Sequence, residues 1–295
     1  MNILLTGKNG QLGFELQRSL APLGTIKAVG SSDCDLADEQ ALRRLIRHVK
    51  PDLIVNPAAY TAVDKAETDV ERARAINTLA PGIIGDEAEK LGALVVHYST
   101  DYVFDGCQAN SYRENDETNP QGIYGLTKRD GEIALQTLTE RHLIFRTSWV
   151  VGAHGQNFAK TMLRLAAERD SLSVVADQWG APTSAALLAD VTAHVIAQWR
   201  RCDAQDFAYG LYHVVAGGET NWYDYARYVI AAAQKAGKTL RISPENIKAI
   251  VTSDYPTPAK RPANSRLATQ KFRDTFGLEL PDWQNGLQHI LQQIL

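Results

Sequence analysis

The chain has 295 residues, of which 44% are hydrophobic and 22% are charged, and its formal net charge at pH 7 is -3. This is ordinary globular composition, and the absence of any Lys/Arg run longer than two residues argues against a nucleic-acid-binding protein. No apolar stretch reaches the roughly 20 residues that a membrane helix needs, and the first residues do not resemble a signal peptide. Three widely spaced cysteines favour a cytoplasmic location and argue against a disulfide framework or a zinc site.

The first half of the chain alternates short apolar segments with amphipathic ones. Strands are predicted at 2–6, 25–29, 53–55, 93–97 and 143–146. Helices are predicted at 11–20, 38–49 and 70–91, the last of them interrupted or kinked at Pro81 and Gly82. Buried strands that alternate with helices are typical of a parallel sheet covered on both faces. We therefore predict an α/β fold with a Rossmann-type doubly wound parallel sheet.

The pattern is looser after residue 150. Helices are predicted at 157–168, 185–199 and 222–236, and strands at 173–175 and 211–215. The last forty residues contain four prolines, which predicts a loop-rich end to the chain.

Three glycines lie between the first predicted strand and the first predicted helix, at Gly7, Gly10 and Gly13. The first permits a tight turn, the second lets backbone approach a pyrophosphate, and the third lets the helix pack close to the sheet. The helix N-terminus then offers free N–H groups to the phosphates. We predict a dinucleotide site whose loop contacts are Gly7, Asn9, Gly10, Gln11, Leu12 and Gly13.

The end of the second predicted strand bears on the choice of cofactor. An acidic residue about 20 residues beyond the glycine loop is typical of NAD sites, because it binds the ribose 2′-hydroxyl. Here Gly30 and Ser31 occupy that position, with Asp33 in the following turn, so no carboxylate is expected to repel a 2′-phosphate. This favours NADPH, with NADH as the alternative. It is equally consistent with the sequence that Ser31 is only a turn residue. Asp35 and Leu36 are predicted to flank the adenine.

Tyr124 and Lys128 lie four residues apart at the start of a predicted helix, so they share one face. An ammonium beside a phenol favours the phenolate and is expected to lower the tyrosine pKa toward the range useful in acid–base catalysis. Thr100 follows a predicted strand, at the edge where α/β sheets bind ligands. Together the two hydroxyls and the ammonium predict a proton-handling site beside the cofactor.

With these residues in place, the chain resembles the extended short-chain dehydrogenase/reductases that act on nucleotide sugars. The glycine loop, Thr100, Tyr124 and Lys128 match that family's motifs. Further matches are to the dTDP-4-dehydrorhamnose reductase group, in order along the whole chain. They are the segment 60–67, Arg146-Thr147-Ser148-Trp149-Val150, Gly155-Gln156-Asn157-Phe158, Asp177-Gln178-Trp179-Gly180-Ala181-Pro182-Thr183 and the segment 261–267. Asn56-Pro57-Ala58-Ala59 resembles the broader family's segment below the nicotinamide, with Pro57 where Ala is more usual.

The resemblance implies reduction of the 4-keto group of a dTDP-linked 6-deoxyhexose by NAD(P)H, giving dTDP-L-rhamnose, a precursor of surface polysaccharide. It implies an N-terminal cofactor domain, residues 1–150 with 184–215 returning to it, and a smaller sugar-nucleotide domain formed by 151–183 and 216–295. Additional cofactor contacts are expected at Ala58, Ala59 and Tyr60. Substrate contacts are expected at Thr100, Asp101, Tyr102, Trp149 and Asn157.

Other functions within the resemblance stay open. A sugar-nucleotide 4,6-dehydratase needs Thr-Asp-Glu after the strand, whereas this chain has Thr100-Asp101-Tyr102, so dehydration is disfavoured. A nucleotide-sugar epimerase is an alternative, and so is a non-catalytic regulatory subunit of a methionine adenosyltransferase. The intact Tyr124, Lys128 and Thr100 argue against the non-catalytic role.

Some members of the resembled group hold a divalent cation at an acidic dimer interface. Glu15 could be one such ligand, but segment 185–188 and the tail Gln292-Gln293 supply no acid where partner ligands are expected. Magnesium prefers several hard oxygen ligands. We therefore expect no bound metal, while a homodimer remains open.

Overall fold

The computed structural model describes residues 1–295 and contains twelve strands and eleven α-helices. The strands are β1 (Asn2–Leu5), β2 (Thr25–Ala28), β3 (Leu53–Asn56), β4 (Leu94–Thr100), β5 (His142–Thr147), β6 (Val150–Val151), β7 (Leu172–Val175), β8 (Trp179–Gly180), β9 (Thr183–Ser184), β10 (Gly210–His213), β11 (Thr220–Asn221) and β12 (Ile247–Ile250). The helices are α1 (Gln11–Leu20), α2 (Glu39–Val49), α3 (Val63–Ala66), α4 (Val70–Arg74), α5 (Ala80–Leu91), α6 (Ile123–Leu138), α7 (Phe158–Glu168), α8 (Ala185–Trp199), α9 (Trp222–Lys235), α10 (Gln270–Phe276) and α11 (Trp283–Ile294).

A six-stranded sheet forms the centre of the molecule, in the order β10-β5-β4-β3-β1-β2, and every pair in it is parallel. Strands β3, β4 and β5 are buried along their whole length, because helices cover both faces of the sheet. This arrangement confirms the predicted α/β fold with a Rossmann-type parallel sheet.

Two apolar layers cover the sheet. On one face, α1 and α8 pack against each other over residues such as Leu16 and Leu188. On the other face, α2 and α5 bury residues such as Leu42 and Ile84. The sequence pattern predicted both layers, since these helices carry apolar residues at helical spacing.

A third apolar cluster is formed by the C-terminal half of the chain. It contains buried residues of α7, α9 and α11, together with the parallel pair β7–β12. The return of α8 and β10 to the first unit agrees with the two-unit division suggested by the sequence, which stays a proposal. Helix α10 also packs against the central sheet, through Phe272 and Phe276.

The structure differs from the predicted elements in two places. The long helix is interrupted at Ala75–Leu79, before Pro81, by a π-helical segment in which the Ala80 N–H donates to the Ala75 carbonyl. Pro81 has no N–H for the carbonyl of Asn77, so the regular ladder cannot continue through this point. The last forty residues are also less loop-rich than predicted, because three of the four prolines precede α10 and Pro281 lies between α10 and α11, so no proline interrupts either helix.

No helix of the protein combines the length and the apolar character that crossing a membrane requires.

Candidate active site

A cleft of about 560 Å³ opens at the carboxyl ends of β1 and β3, where the strand order of the sheet reverses direction. Open α/β sheets bind ligands at this switch point. Nearly all of the residues predicted to contact a cofactor line this one cleft. They are Gly7, Asn9, Gly10, Gln11, Leu12, Gly13, Ser31, Asp35, Leu36, Ala58, Ala59, Tyr124 and Lys128.

The glycine loop has the geometry of a phosphate cradle. Gly7 has φ +60°, and a Cβ on Gly13 would lie 2.0 Å from the Gly7 carbonyl oxygen, so helix α1 could not pack here with a larger residue. Gly10 precedes α1 and offers no side chain to cap it, whereas α2, α7, α8 and α9 each have a side-chain cap. The uncapped N–H groups of α1 therefore face the cleft and fit the pyrophosphate of a dinucleotide.

The structure corrects one expectation about the end of β2. Asp33 turns back, and its carboxylate accepts a hydrogen bond from the Gly30 N–H at 2.8 Å, so a carboxylate does lie beside the predicted ribose position. Lys8 of the glycine loop pairs with the same oxygen at 2.6 Å. The Lys8 ammonium and the Gly30 amide together hold the pKa of Asp33 below its ordinary value. Sequence reasoning missed this pair, because a turn brings two distant residues together.

A second carboxylate at the cleft, that of Asp35, is also paired with a cation. Both Asp35 oxygens accept hydrogen bonds from the Arg72 guanidinium at 2.9 Å. This bidentate bond and a bond from the Ala37 N–H lower the pKa of Asp35. Arg72 lines the cleft from α4 and was not predicted from the sequence. Arg72 thus lines the cleft as a cation to which a 2′-phosphate could bind, and the Lys8 side chain lies beside Gly30 of the same lining.

Tyr60 is the one predicted cofactor residue that is absent from the cleft lining. Its hydroxyl donates to Asp69 at 2.9 Å, and its backbone N–H donates to the Asn77 side chain at 2.8 Å. Asn77 also donates to the Thr127 hydroxyl at 3.2 Å, which links the segment after β3 to helix α6. Its place in the π-helical segment directs the Asn77 side chain inward.

Tyr124 and Lys128 lie on the first turns of α6, as predicted, and both line the cleft. The expected effect on the tyrosine pKa is wrong for this structure. Burial raises the pKa of Tyr124, and the neighbouring Thr100 hydroxyl offsets only part of that effect. Burial likewise lowers the pKa of Lys128 to about 8. The spacing predicts that two residues share a helix face, but it carries no information about how deeply each is buried.

The Lys128 ammonium is directed by two groups of β4. It donates to the Tyr98 carbonyl at 2.6 Å and lies 3.2 Å from Nε2 of His97. His97 in turn contacts Asn56, whose side chain accepts from the Thr6 hydroxyl at 2.5 Å. None of these three partners was singled out from the sequence as a contact of Lys128.

Thr100 and Asp101 lie at the end of β4, as the sequence suggested. The Thr100 hydroxyl donates to Asp101 at 3.0 Å and accepts from the Tyr102 N–H at 3.2 Å. Burial raises the pKa of Asp101 to about 6, while Ser265 and Thr100 act in the opposite direction.

Tyr102 stands beside Tyr124, the predicted catalytic tyrosine. Its ring meets the Tyr124 ring edge to face, with centroids 5.4 Å apart. Burial, with the charge of Asp101, raises the pKa of Tyr102 to about 12. The phenol therefore stays protonated at neutral pH and can donate a hydrogen bond.

Trp149 has a strained backbone with φ +49°, in the left-handed region that residues other than glycine seldom adopt. Its indole stacks on Trp222 with centroids 3.7 Å apart. A Cβ on Gly180 would lie 2.8 Å from the Trp149 ring, so a side chain there would displace the indole. Such strain persists only where the surroundings impose it, and it is common at ligand sites. The indole is thus held in place beside β5.

Asn157 has hydrogen-bond partners for both ends of its amide. The carbonyl caps α7 by accepting from the Lys160 N–H, and the amino group donates to Gln11 at 2.9 Å and to the Gly152 carbonyl at 2.7 Å. Asn157 thus ties the glycine loop to the C-terminal half. Its contact with substrate stays a prediction.

Comparison with known proteins identifies the family of the chain. A family model described as the RmlD substrate binding domain matches residues 1–295. The dTDP-4-dehydrorhamnose reductase of Escherichia coli is 53% identical over 298 residues, covering 100% of this chain and 98% of that protein. The enzyme of the same name from Burkholderia thailandensis is 44% identical over 296 residues, covering 100% of this chain and 99% of that protein.

Solved structures give the same result. The dTDP-4-dehydrorhamnose reductase of Clostridium acetobutylicum superposes with a TM-score of 0.90 at 35% identity, covering 99% of each chain. The Bacillus anthracis enzyme, solved in complex with NADP, superposes with a TM-score of 0.89 at 32% identity, again covering 99% of each chain. The resemblance drawn from the motifs is confirmed, and the chain belongs to the dTDP-4-dehydrorhamnose reductase family of NAD(P)H-dependent oxidoreductases.

Proposed function

We propose that this chain reduces the 4-keto group of dTDP-4-dehydro-L-rhamnose to give dTDP-L-rhamnose, with NADPH as the preferred reductant and NADH as the alternative. The observation that carries the proposal is the position of Tyr124 and Lys128. Both line the cleft formed by the glycine loop, with Thr100 at the adjoining strand end. The same activity is named for the relatives at 53% and 44% identity.

The residues of the cleft have distinct roles in this proposal. When bound, the cofactor supplies the hydride that reduces the carbonyl carbon. Tyr124 donates a proton to the developing alkoxide, and its raised pKa keeps the phenol protonated for that purpose. The Thr100 hydroxyl, which donates to Asp101 in this structure, would turn to donate its proton to the same oxygen as negative charge develops on it. Lys128 donates to the nicotinamide ribose and returns a proton toward Tyr124 after turnover.

The sugar site is proposed between Tyr102, Asp101 and Trp149. The ring of Tyr102 lies against Tyr124, which places its hydroxyl near the reacting end of a substrate. The indole of Trp149, held by Trp222 and Gly180, offers a flat apolar surface to a sugar ring. Asn157 is included at the Gln11 side of this region.

The stoichiometry of NADPH consumption distinguishes the proposed reductase from the alternative functions. A reductase consumes one NADPH for each 4-keto sugar, whereas an epimerase and a dehydratase regenerate their cofactor. We expect absorbance at the nicotinamide band to fall in proportion to added dTDP-4-dehydro-L-rhamnose, with dTDP-L-rhamnose as the product. Product formation without net NADPH loss would favour an epimerase, and binding without turnover would favour the non-catalytic regulatory role.

The paired charges at the end of β2 give a prediction about cofactor choice. Lys8→Met removes a cation near the 2′-phosphate position and leaves the Asp33 carboxylate without its ion pair. We expect the KM for NADPH to rise about tenfold, since a hydrogen bond to a charged group contributes roughly 1.5–3 kcal/mol. The KM for NADH is expected to change by less than about twofold, because no 2′-phosphate is involved. The measurement is initial rates with each cofactor.

Two further variants make this test specific. Lys27→Met removes a nearby exposed charge of β2 that, unlike Lys8, forms no ion pair with Asp33, and we expect it to leave both KM values unchanged. Asp33→Asn releases Lys8 and is expected to lower the KM for NADPH. An equal rise for both cofactors in Lys8→Met would show that the pair supports only the shape of the loop.

A chelator is expected to leave activity unchanged. Glu15 lies on α1, and Asp190 of α8 is an acid near it that sequence reasoning did not consider. Arg18 donates to Glu15 at 3.1 Å and to Asp190 at 2.9 Å, so a guanidinium already occupies the place between the two carboxylates. We expect the same rate of NADPH consumption before and after dialysis against EDTA. Loss of activity that magnesium restores would reinstate Glu15 and Asp190 as metal ligands.

The proposal also includes location and assembly. All three cysteines are free, which suits the reducing conditions of the cytoplasm. We propose a cytoplasmic enzyme that forms a homodimer without a metal. Sedimentation of the chelated protein tests that assembly, since a metal-dependent dimer would dissociate under these conditions.

A further inference from the structure

The strongest unexplained feature of the molecule is a row of buried polar side chains behind the catalytic lysine. His97 and Lys128 are only 1% and 2% exposed, and Asn56 and Thr6 are buried to the same degree. The row crosses three adjacent strands, from β4 through β3 to the end of β1. Because a buried polar group without a partner destabilises the folded state, such a row is retained only where its hydrogen bonds are consistent with one another.

The protonation state of His97 limits how this row can be bonded. Burial, together with the nearby charge of Lys128, holds the pKa of His97 well below its ordinary range, so the imidazole is neutral. A neutral imidazole donates from one ring nitrogen and accepts at the other. A Lys128 ammonium can only donate, and it lies 3.2 Å from Nε2. Nε2 must then be the acceptor, and Nδ1 must carry the proton.

Asn56 completes the arrangement. The structure places the Asn56 amino group 3.1 Å from Nδ1 of His97 and its carbonyl oxygen 2.5 Å from the Thr6 hydroxyl. The two ends of an amide are assigned from their hydrogen bonds, and an Nδ1–H ring requires the amide turned by half a rotation, with the carbonyl oxygen toward Nδ1 and the amino group toward Thr6. With the amide turned the other way, both neighbours of His97 would be donors, which a neutral ring cannot satisfy. The opposite amide orientation is consistent only with an uncharged Lys128 that accepts from Nε2–H.

We infer that His97 is a positioning residue for Lys128, held by Asn56 as the Nδ1–H tautomer so that Nε2 accepts one ammonium proton. The Tyr98 carbonyl accepts a second proton at 2.6 Å. One N–H of the three is left for the cleft, where Tyr124 and the cofactor ribose lie. His97 itself touches no reacting atom, and this inference rests on the proposed function of Lys128.

Other charged groups around Lys128 do not account for this orientation. On α6, Glu132 lies one turn beyond Lys128 and raises its pKa, but burial has the larger and opposite effect. Glu132 is itself bound by Arg146 of β5, at 2.9 and 2.6 Å. Tyr124 is the remaining titratable group on that face of the helix.

The first measurement uses the unmodified protein and does not depend on activity. Long-range proton–nitrogen correlation of the histidine side chains distinguishes Nδ1–H from Nε2–H rings. The spectrum of His97→Gln identifies which of the 7 histidines is His97. We expect an Nδ1–H ring for His97 with an unprotonated, hydrogen-bonded Nε2. An Nε2–H ring or an imidazolium would overturn the inference, whatever the catalytic activity.

The second measurement compares two substitutions. His97→Leu removes the acceptor, so we expect kcat to fall about tenfold and the alkaline limb of the pH profile to move down by about one unit, because an ammonium that loses an acceptor is less stable. His97→Gln presents an acceptor at the end of a similar side chain, and we expect its kcat to stay within about threefold of the native value. KM for the sugar nucleotide is expected to be unchanged in both.

The outcomes separate positioning from simple packing. Equal losses in both variants with an unmoved alkaline limb would show a packing role and overturn the inference. A native kcat and pH profile in His97→Leu would overturn it as well. If the leucine variant does not fold, the tautomer of His97 in the native protein and the kcat of the glutamine variant distinguish a positioning role from a packing role. A native protein that does not consume NADPH would refute the proposed function. The tautomer measurement would still test the inference about His97, because it does not depend on activity.

Discussion

Tyr124→Phe is expected to lower kcat by about 10³-fold, within the range of roughly 10²–10⁴ that a positioned acid contributes. The hydroxyl is needed only when the alkoxide forms, so its loss acts on the transition state rather than on ground-state binding. The ring contact with Tyr102 is kept by phenylalanine, so the shape of the cleft is preserved. The measurement is steady-state NADPH consumption, with cofactor affinity determined separately by fluorescence titration.

The affinity of Tyr124→Phe for NADPH decides how its loss of kcat is interpreted. We expect the Kd for NADPH to change by less than about twofold, because the Tyr124 hydroxyl stabilises the transition state and not the ground-state complex with the cofactor. Tyr228→Phe is the matched control: it removes a phenol on α9 that packs on Trp283 outside the cleft, and it should keep the native kcat. Native turnover in Tyr124→Phe would remove Tyr124 from the mechanism and with it the main support for the proposed function.

The regular part of the fold could be predicted from the sequence because its signals are local. Apolar runs such as Leu53–Asn56 identify buried strands, and the spacing of Leu12, Leu16 and Leu20 identifies a helix packed on them. The glycine loop was equally readable, since Gly7 and Gly13 are needed for close packing that the structure shows. Helices α10 and α11 were missed because prolines before them dominated the pattern.

The rest of the site depends on contacts between residues far apart in the chain. The π-helical segment arises where Pro81 cannot donate to the Asn77 carbonyl, and no periodic pattern in the sequence predicts a π-helical turn. The pairing of Lys8 with Asp33 depends on a turn that folds back on Gly30. The pKa of Tyr124 depends on burial, which a four-residue spacing does not report. Motifs therefore predicted the candidate catalytic groups, while their electrostatics required the structure.

Lys128→Met is expected to impair both chemistry and cofactor binding. The ammonium is proposed to donate to the cofactor ribose and to return a proton toward Tyr124. Because one charge-assisted contact then supports both binding and chemistry, we expect kcat to fall about 10²-fold and the KM for NADPH to rise about tenfold. Methionine has a similar length and fills the buried space, which limits cavity formation. Arg129→Met, the next residue on α6, removes a charge paired with Asp130 and should leave both constants unchanged.

The pH profile gives this prediction its sharpest form. The pKa of Lys128 is lowered to about 8, so the ammonium is present below that pH and is lost as pH rises through it. The pKa of Tyr124 is raised, which places its ionisation at higher pH. Native turnover should therefore decline above about pH 8 because Lys128 loses its proton, and the decline should be absent in Lys128→Met, which has no charge to lose at any pH. A methionine variant that keeps the same alkaline limb would assign that limb to another group and would exclude Lys128 as the residue that controls it.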